Sequence, residues 1–139
     1  MFKKSLLKLI TAICTFCLPP LMAHHQFSTE FDASKPITLT GKVHDVSWDE
    51  PHMTFMVDAQ GGSWKVEGAS PATLKSHKFT NKELKDGETV TVNGFRAKDG
   101  SMMASGRTMS IKGKSYTIAD AKEDGGPGSS TADRAQPKK

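Results

Sequence analysis

The sequence predicts an all-β protein, namely a small OB-like barrel of five to six strands with a short helical insert. Apolar and polar residues alternate with the period of two that half-buried strands show. The phase of this alternation changes once within the first strand, and a helical stretch separates three strands from the remainder. An OB-fold has this order and a long, curved first strand. An SH3-like barrel or a small sandwich is the competing architecture.

The first strand is predicted to begin at Ile37. Apolar residues occupy every second position from Ile37 to Val43, and the pattern resumes out of phase at Val46. A change of phase without a break in the chain is typical of a β-bulge. We therefore expect a bulge near His44 and Asp45 and a bent first strand.

The later strands follow the same alternation and are separated by glycine-containing turns at residues 60–62 and 98–100. We expect most of the apolar side chains on one face of each strand to be buried. The predicted strands run through Met53–Val57, Trp64–Val66, Val90–Val92, Met103–Ile111 and, as a short sixth, Tyr116–Ile118. The side chains predicted to be mostly buried are Trp48, Phe55, Val57, Val66, Val90 and Val92.

One substantial helical region is predicted, between the third and fourth strands, over residues 70–84. Ser70 is a favourable N-cap and Pro71 suits the first helical position. Thr80 and Glu83 have the spacing of a capping box, in which each side chain bonds the other residue's backbone. A second short helical turn is therefore expected at Thr80.

The first 23 residues have the layout of a secretory signal peptide. Three lysines precede the apolar run Leu9–Leu18, and Ala23 offers a small residue for cleavage. The run is about half of the ~20 residues that a membrane-spanning helix needs. We expect cleavage between Ala23 and His24, a periplasmic or secreted protein, and no stable membrane insertion after processing.

Cleavage would change the composition of the protein. Both cysteines, Cys14 and Cys17, lie in the leader, so the mature chain would have no disulfide and no thiolate ligand. The mature chain would keep 16 of the 19 basic residues and all 15 acidic ones, a net charge of +1. This near-balance argues against a nucleic-acid partner.

The mature chain divides into three predicted segments. Residues 24–36 form an N-terminal arm, residues 37–119 the OB-like β-barrel domain, and residues 120–139 a disordered tail. The tail has no large apolar residue and is rich in glycine, proline, serine and charge, so burial cannot offset the entropy of ordering it.

The processed N-terminus suggests a metal site. An N-terminal His24 offers copper its α-amine and its ring nitrogen, and a second imidazole opposite completes a three-nitrogen site called a histidine brace. His52, stiffened by Pro51, is the candidate for that imidazole. His25 is a possible helper, as is Met56, which alternation places on the same face as His52.

The predicted function is a periplasmic or secreted binding protein whose partner is a metal ion, with copper as the expected cofactor, or a small periplasmic ligand or protein. The alternative is a metal-free OB module that binds a peptide, an envelope protein or a small anion, with the histidines simply solvated. An oxidative copper enzyme would share the N-terminal histidine, but the chain is short for a flat sugar-binding face. The sequence has no nucleophile–base pattern, so no enzymatic activity is expected.

The sequence also resembles an uncharacterised family of small secreted bacterial proteins, a domain-of-unknown-function family. Members begin with a His-His-Ser-Phe-like stretch and carry a Trp-x-Asn-Pro-His motif, where this chain has Gln26 in place of Ser and Asp49-Glu50 before Pro51. The resemblance implies export and a compact β fold, and it implies no settled activity. Its residues here are His24-His25-Gln26-Phe27, Lys35 to Gly41, Trp48, Pro51-His52, Gly68 to Pro71, Leu84 to Val90 and Gly94 to Gly100.

Overall fold

The computed structural model describes residues 26–128 of the chain. The predicted signal peptide, His24, His25 and most of the predicted tail, residues 129–139, lie outside the described residues. The elements, in order, are α1 (Gln26–Glu30), β1 (Phe31–Ser47), β2 (Thr54–Ala59), β3 (Gly62–Glu67), α2 (Pro71–Ser76), β4 (Thr89–Ala97), β5 (Met103–Ile111), β6 (Lys114–Thr117) and α3 (Ala121–Asp124).

The strands form one sheet in the order β3-β2-β1-β4-β5-β6, with antiparallel neighbours. A parallel pairing of β3 with β5, for example Val66 opposite Ala104, closes five of the strands into a ring. β3 and β6 share one edge of β5 but pair with different parts of it. β3 pairs with residues 103–105 and β6 with residues 108–111. The predicted all-β, OB-like fold class is confirmed.

β1 is 17 residues long and pairs with both β2 and β4. Its register with β2 shifts between His44 and Ser47, and Asp45 has a positive φ of 52°. The bulge predicted at this position is therefore present. It lets one strand turn from β4 towards β2, as ring closure requires.

The main core fills the ring and continues under α2, with Leu74, Phe79 and Leu84 fully buried there. Five of the six side chains predicted to be buried belong to this core. Trp48 is the exception and is only partly buried, because it follows the end of β1 and lies against Phe79, with ring centroids 5.7 Å apart.

The helical insert begins as predicted. The Ser70 hydroxyl accepts the Thr73 amide at 3.1 Å and Pro71 is the first helical residue. Thr80 and Glu83 are also linked, with the Thr80 amide and hydroxyl donating to one Glu83 oxygen. That link closes a turn and starts no helix, so the second helical turn expected at Thr80 does not form. The helix of the insert is α2 alone, which ends at Ser76.

The structure departs from the predicted boundaries at both ends of the domain. β1 begins at Phe31 rather than Ile37, and α1 precedes it, so the described part of the predicted arm is helix and strand. α3 lies within the segment predicted as a disordered tail. Both segments are ordered by contacts that the sequence does not reveal. Both segments also lie beside the candidate site. No helix in the described part of the chain is long and apolar enough to cross a membrane.

Candidate functional site

His52 lies between the end of β1 and the start of β2. Its side chain is 21% exposed, and its Nδ1 is 3.1 Å from Oε1 of Glu67, the last residue of β3. A carboxylate beside Nδ1 favours the ring tautomer that carries its proton on that nitrogen. The Nε2 lone pair is then free for an ion, which is how metal-binding histidines are commonly oriented.

His52 and Glu67 line a small cavity of about 20 Å³. A cavity of roughly 10–15 Å³ by this measure holds one water molecule, so this space suits a single water or ion and no organic molecule. Phe27 of α1 and Phe31 of β1 contribute apolar walls, and the segment containing α3 contributes Asp120, Glu123 and Asp124.

The carboxylates around the cavity make it a favourable environment for a cation. Burial raises the pKa of Glu67 from its usual 4.5, although the neighbouring His52 opposes that shift. Asp120 caps α3 by accepting the Lys122 amide, and Glu123 accepts the hydroxyl of Thr73. Apart from Glu67, the acidic wall is therefore built by the N-cap and the last two residues of α3, and it is held by a local bond at Asp120 and by a bond from Thr73 of α2 to Glu123.

Arg107 supports this wall from inside the protein. Its side chain is fully buried, its Nη1 donates to Oδ2 of Asp124 at 2.6 Å, and its guanidinium lies 4.4 Å from the centre of the Phe27 ring. Burial lowers the pKa of its guanidinium, and the negative charge of Asp124 opposes that shift. Its Nε and Nη2 have no hydrogen-bond partner among the described residues.

α1 is fixed by a second small hydrophobic cluster, separate from the main core. Phe27, Phe31, Phe95 and Ala97 form it, with Met103 packed against them. The Phe27 ring meets Phe31 at 5.7 Å and Phe95 edge-on at 5.8 Å between centroids. This cluster holds Phe27 at the cavity wall.

The structure places the predicted site residues in different locations. His52 lines the cavity, whereas His24 and His25 lie outside the described residues. Met56 is in β2, opposite His44 on β1 and Lys65 on β3, and it does not line the cavity. Within residues 26–128, no three histidine, cysteine or acidic side chains come together as a metal-binding group. A metal site at His52 with three such ligands therefore needs one from outside that range.

Sequence reasoning missed several residues of this site. The four-residue spacing of Phe27 and Phe31 is a signal for a short helix, and no helix is predicted in the N-terminal arm, although Phe31 itself is the first residue of β1. Nothing in the sequence indicates a role for Arg107. In the pairing of β4 with β5, Asn93 is opposite Thr108 and Gly94 is opposite Gly106, so no residue of β4 is opposite Arg107. Arg107 is the extra residue of a β-bulge, which re-aims its side chain.

The chain belongs to a family of unknown function, DUF6152, whose model matches residues 14–107. This finding confirms the resemblance to an uncharacterised domain family. No curated protein matches the chain significantly.

Two solved structures of TiaS are similar to parts of the chain. One is its complex with a tRNA and ATP, 23% identical, with a TM-score of 0.43, covering 55% of this chain and 18% of that one. The other is the ZRD-deleted mutant with agmatine, 20% identical, with a TM-score of 0.42, covering 60% of this chain and 26% of that one. The chain thus spans about a quarter or less of those proteins, and the likeness carries no inference about activity or partners.

Proposed function

We propose that the protein is an exported binding protein that holds one copper ion at the His52 cavity. The ligands are the α-amine and ring of an N-terminal His24 and the ring of His52, with His25 as a helper. One observation carries the proposal: His52 lines an ion-sized cavity whose wall includes Phe27, the third residue after His24.

The length of the chain supports this arrangement. Three residues span at most about 11 Å from Cα to Cα, since each extended residue adds up to ~3.6 Å. Phe27 is buried at the cavity, so a stretch of three residues before it is long enough to bring the His24 ligands to the wall that His52 shares. Two nitrogens on opposite sides of one metal are only ~4 Å apart, given metal–nitrogen distances near ~2 Å.

The available ligands favour copper. An N-terminal amine has an ordinary pKa of about 7.7–8.0, so a metal displaces its proton readily at neutral pH. Copper heads the affinity order of divalent ions at nitrogen ligands. Both cysteines precede the predicted cleavage site, which leaves amine and imidazole as the strongest ligands. Met56 drops out of the proposal, because four extended residues place it about 13 Å along the chain from His52.

A metal-free binding module is the second candidate, and a separate groove favours it. This groove, of about 460 Å³, lies beside β1 and the β2–β3 turn and is lined by Thr38, Thr40, Gln60 and Trp64. It is large enough for a short peptide segment, which the His52 cavity is not. If this groove is the functional site, replacing His52 leaves partner binding unchanged.

The decisive experiment is copper titration of protein beginning at His24 against the same protein with its α-amine acetylated. Both carry every side chain, but only the first has a free α-amine that can chelate copper. We expect affinity to fall at least about tenfold in the acetylated protein. H52Q should weaken binding comparably, whereas H77Q, at an exposed histidine after α2, is the matched control. Equal affinity of the two forms would exclude the brace. Intact mass of the exported protein tests cleavage before His24.

A further inference from the structure

Arg107 is an unusual residue to find in this interior. Its side chain has no exposed surface, it makes one ion pair, and its Nε and Nη2 have no hydrogen-bond partner among the described residues. A buried ion pair can often be replaced by apolar residues of similar volume without loss of stability. Stability alone therefore does not explain an arginine at this position, and its contacts indicate what it does.

Arg107 touches both ends of the described chain. The Phe27 ring of α1 lies on its guanidinium, and Asp124 of α3 binds its Nη1. The backbone of Gly126 approaches so closely that a Cβ there would be 2.0 Å from Nη2 and 2.6 Å from the Phe27 ring. A side chain at Gly126 would separate the three groups, so this glycine permits their contact.

Two of the residues that contact Arg107 are also walls of the cavity. Phe27 and Asp124 both line it, facing His52 and Glu67. Arg107 itself belongs to β5, within the closed ring, and the β-bulge turns its side chain towards α1 and α3. One side chain of the strand ring, that of Arg107, thus contacts both terminal segments.

We infer that Arg107 is a positioning residue that fixes α1 and α3 as two walls of the His52 cavity and thereby sets the distance from the N-terminal end of the chain to His52. The inference that this distance governs copper affinity rests on the proposed function. The positioning of α1 and α3 does not.

The first test uses metal-free protein, so it is independent of copper. In R107M, amide hydrogen exchange should accelerate about tenfold or more in residues 27–31 and 121–126. Removing the contacts that hold these segments in place makes their locally open states more populated. Exchange in the central part of β4 should not change. R96M is the matched control, since Arg96 also lies over an aromatic ring, 5.1 Å from the centre of Trp64, away from the cavity.

A second variant covers the case in which R107M does not fold. D124N removes the ionic partner and leaves Arg107 against Phe27, so exchange should accelerate mainly in residues 121–126. Uniform acceleration throughout the sheet in either variant would mean a general structural role and overturn the inference. Unchanged exchange in both terminal segments would overturn it as well.

The second test measures copper affinity in protein beginning at His24. R107M should weaken binding about tenfold, the lower end of the effect seen when groups that orient metal ligands are removed. In the version with an acetylated α-amine, the same substitution should change affinity little, because the amine no longer binds. An equal loss in both versions contradicts positioning of the N-terminus. If neither version binds copper, the proposed function fails, and hydrogen exchange still decides the role of Arg107.

Discussion

His44, at the bulge of β1, sits between two carboxylates. Its Nδ1 is 2.9 Å from Asp45, and its Nε2 is 3.1 Å from both Asp58 and the Ser63 hydroxyl. Both ring nitrogens can donate to carboxylates only when the ring is protonated. The hydrogen bonds to Asp45 and then Asp58 accordingly raise the pKa of His44 above its usual 6.5.

We predict that NMR titration of the His44 ring will give a pKa above 6.5, and that D58N will lower it. Because the folded-state pKa is raised, the protonated ring stabilises the fold. That contribution is fully present below pH 6.5 and disappears as the pH rises through the folded-state value. D99N, in the β4–β5 turn, should leave the titration unchanged. A His44 pKa of 6.5 or lower in the unaltered protein would contradict the prediction.

The residues of the candidate site show what the sequence can and cannot predict. His52 could be selected because its chemistry and its position after Pro51 are local properties. Glu67 and Arg107 could not, since one meets His52 across the sheet and the other is turned inward by a register shift between β4 and β5. A two-residue alternation would assign Arg107 a face, and the polar and glycine residues around it show no change of phase of the kind that marked the bulge in β1.

At the scale of the elements, β1 passes so close to β2 that one position requires glycine. A Cβ on Gly41 would be 1.8 Å from the backbone carbonyl oxygen of Asp58. The neighbour is backbone, so it cannot rotate away as a side chain would.

G41A should therefore lower the free energy of unfolding by roughly 3 kcal/mol, the upper end of the range for overpacking. Urea denaturation followed by circular dichroism measures this change. G128A is the control, because a Cβ on Gly128 has open space around it. If G41A unfolds at the same urea concentration as G128A, the approach of the two strands is not as close as described.

α2 depends on its N-cap more than a longer helix would, because it has only six residues. S70A removes the hydroxyl that accepts the Thr73 amide and should lower the free energy of unfolding by about 1 kcal/mol. S70D, which retains an acceptor, should preserve stability, and S115A on the exposed face of β6 serves as a control. Equal stability of S70A and S70D would contradict a capping role.

Most strands, the β1 bulge and the start of α2 could be predicted because alternation, turn glycines and capping side chains act over a few residues. The boundaries at Phe31 and Ala121 could not be predicted in this way. Phe31 joins the sheet opposite Ala97, which lies far along the chain, and α3 is held by the ion pair of Asp124 with Arg107. Composition alone predicts disorder for a segment with few apolar residues. Such a segment can still be ordered by tertiary contacts, as α3 is.

At the scale of the whole molecule, the parallel pairing of β3 with β5 completes the ring. It joins residues 65–67 to residues 103–105, with α2 and β4 between them in the chain. The closure of the ring thus depends on one long-range pairing, which the sequence indicated only through the number of strands and the position of the helical insert.

Phe27 lies against the backbone of Gly126, so the two ends of the described chain are close together. A circular permutant should therefore fold if a short glycine linker joins Gly128 to His24 and the new ends are placed between Gln60 and Gly61, an exposed turn. Its circular dichroism spectrum should match that of the original, but its His24 nitrogen is now a peptide amide. The copper affinity should fall as it does on acetylation of the α-amine. A permutant that folds and still binds copper tightly would show that the binding site needs no free end at all.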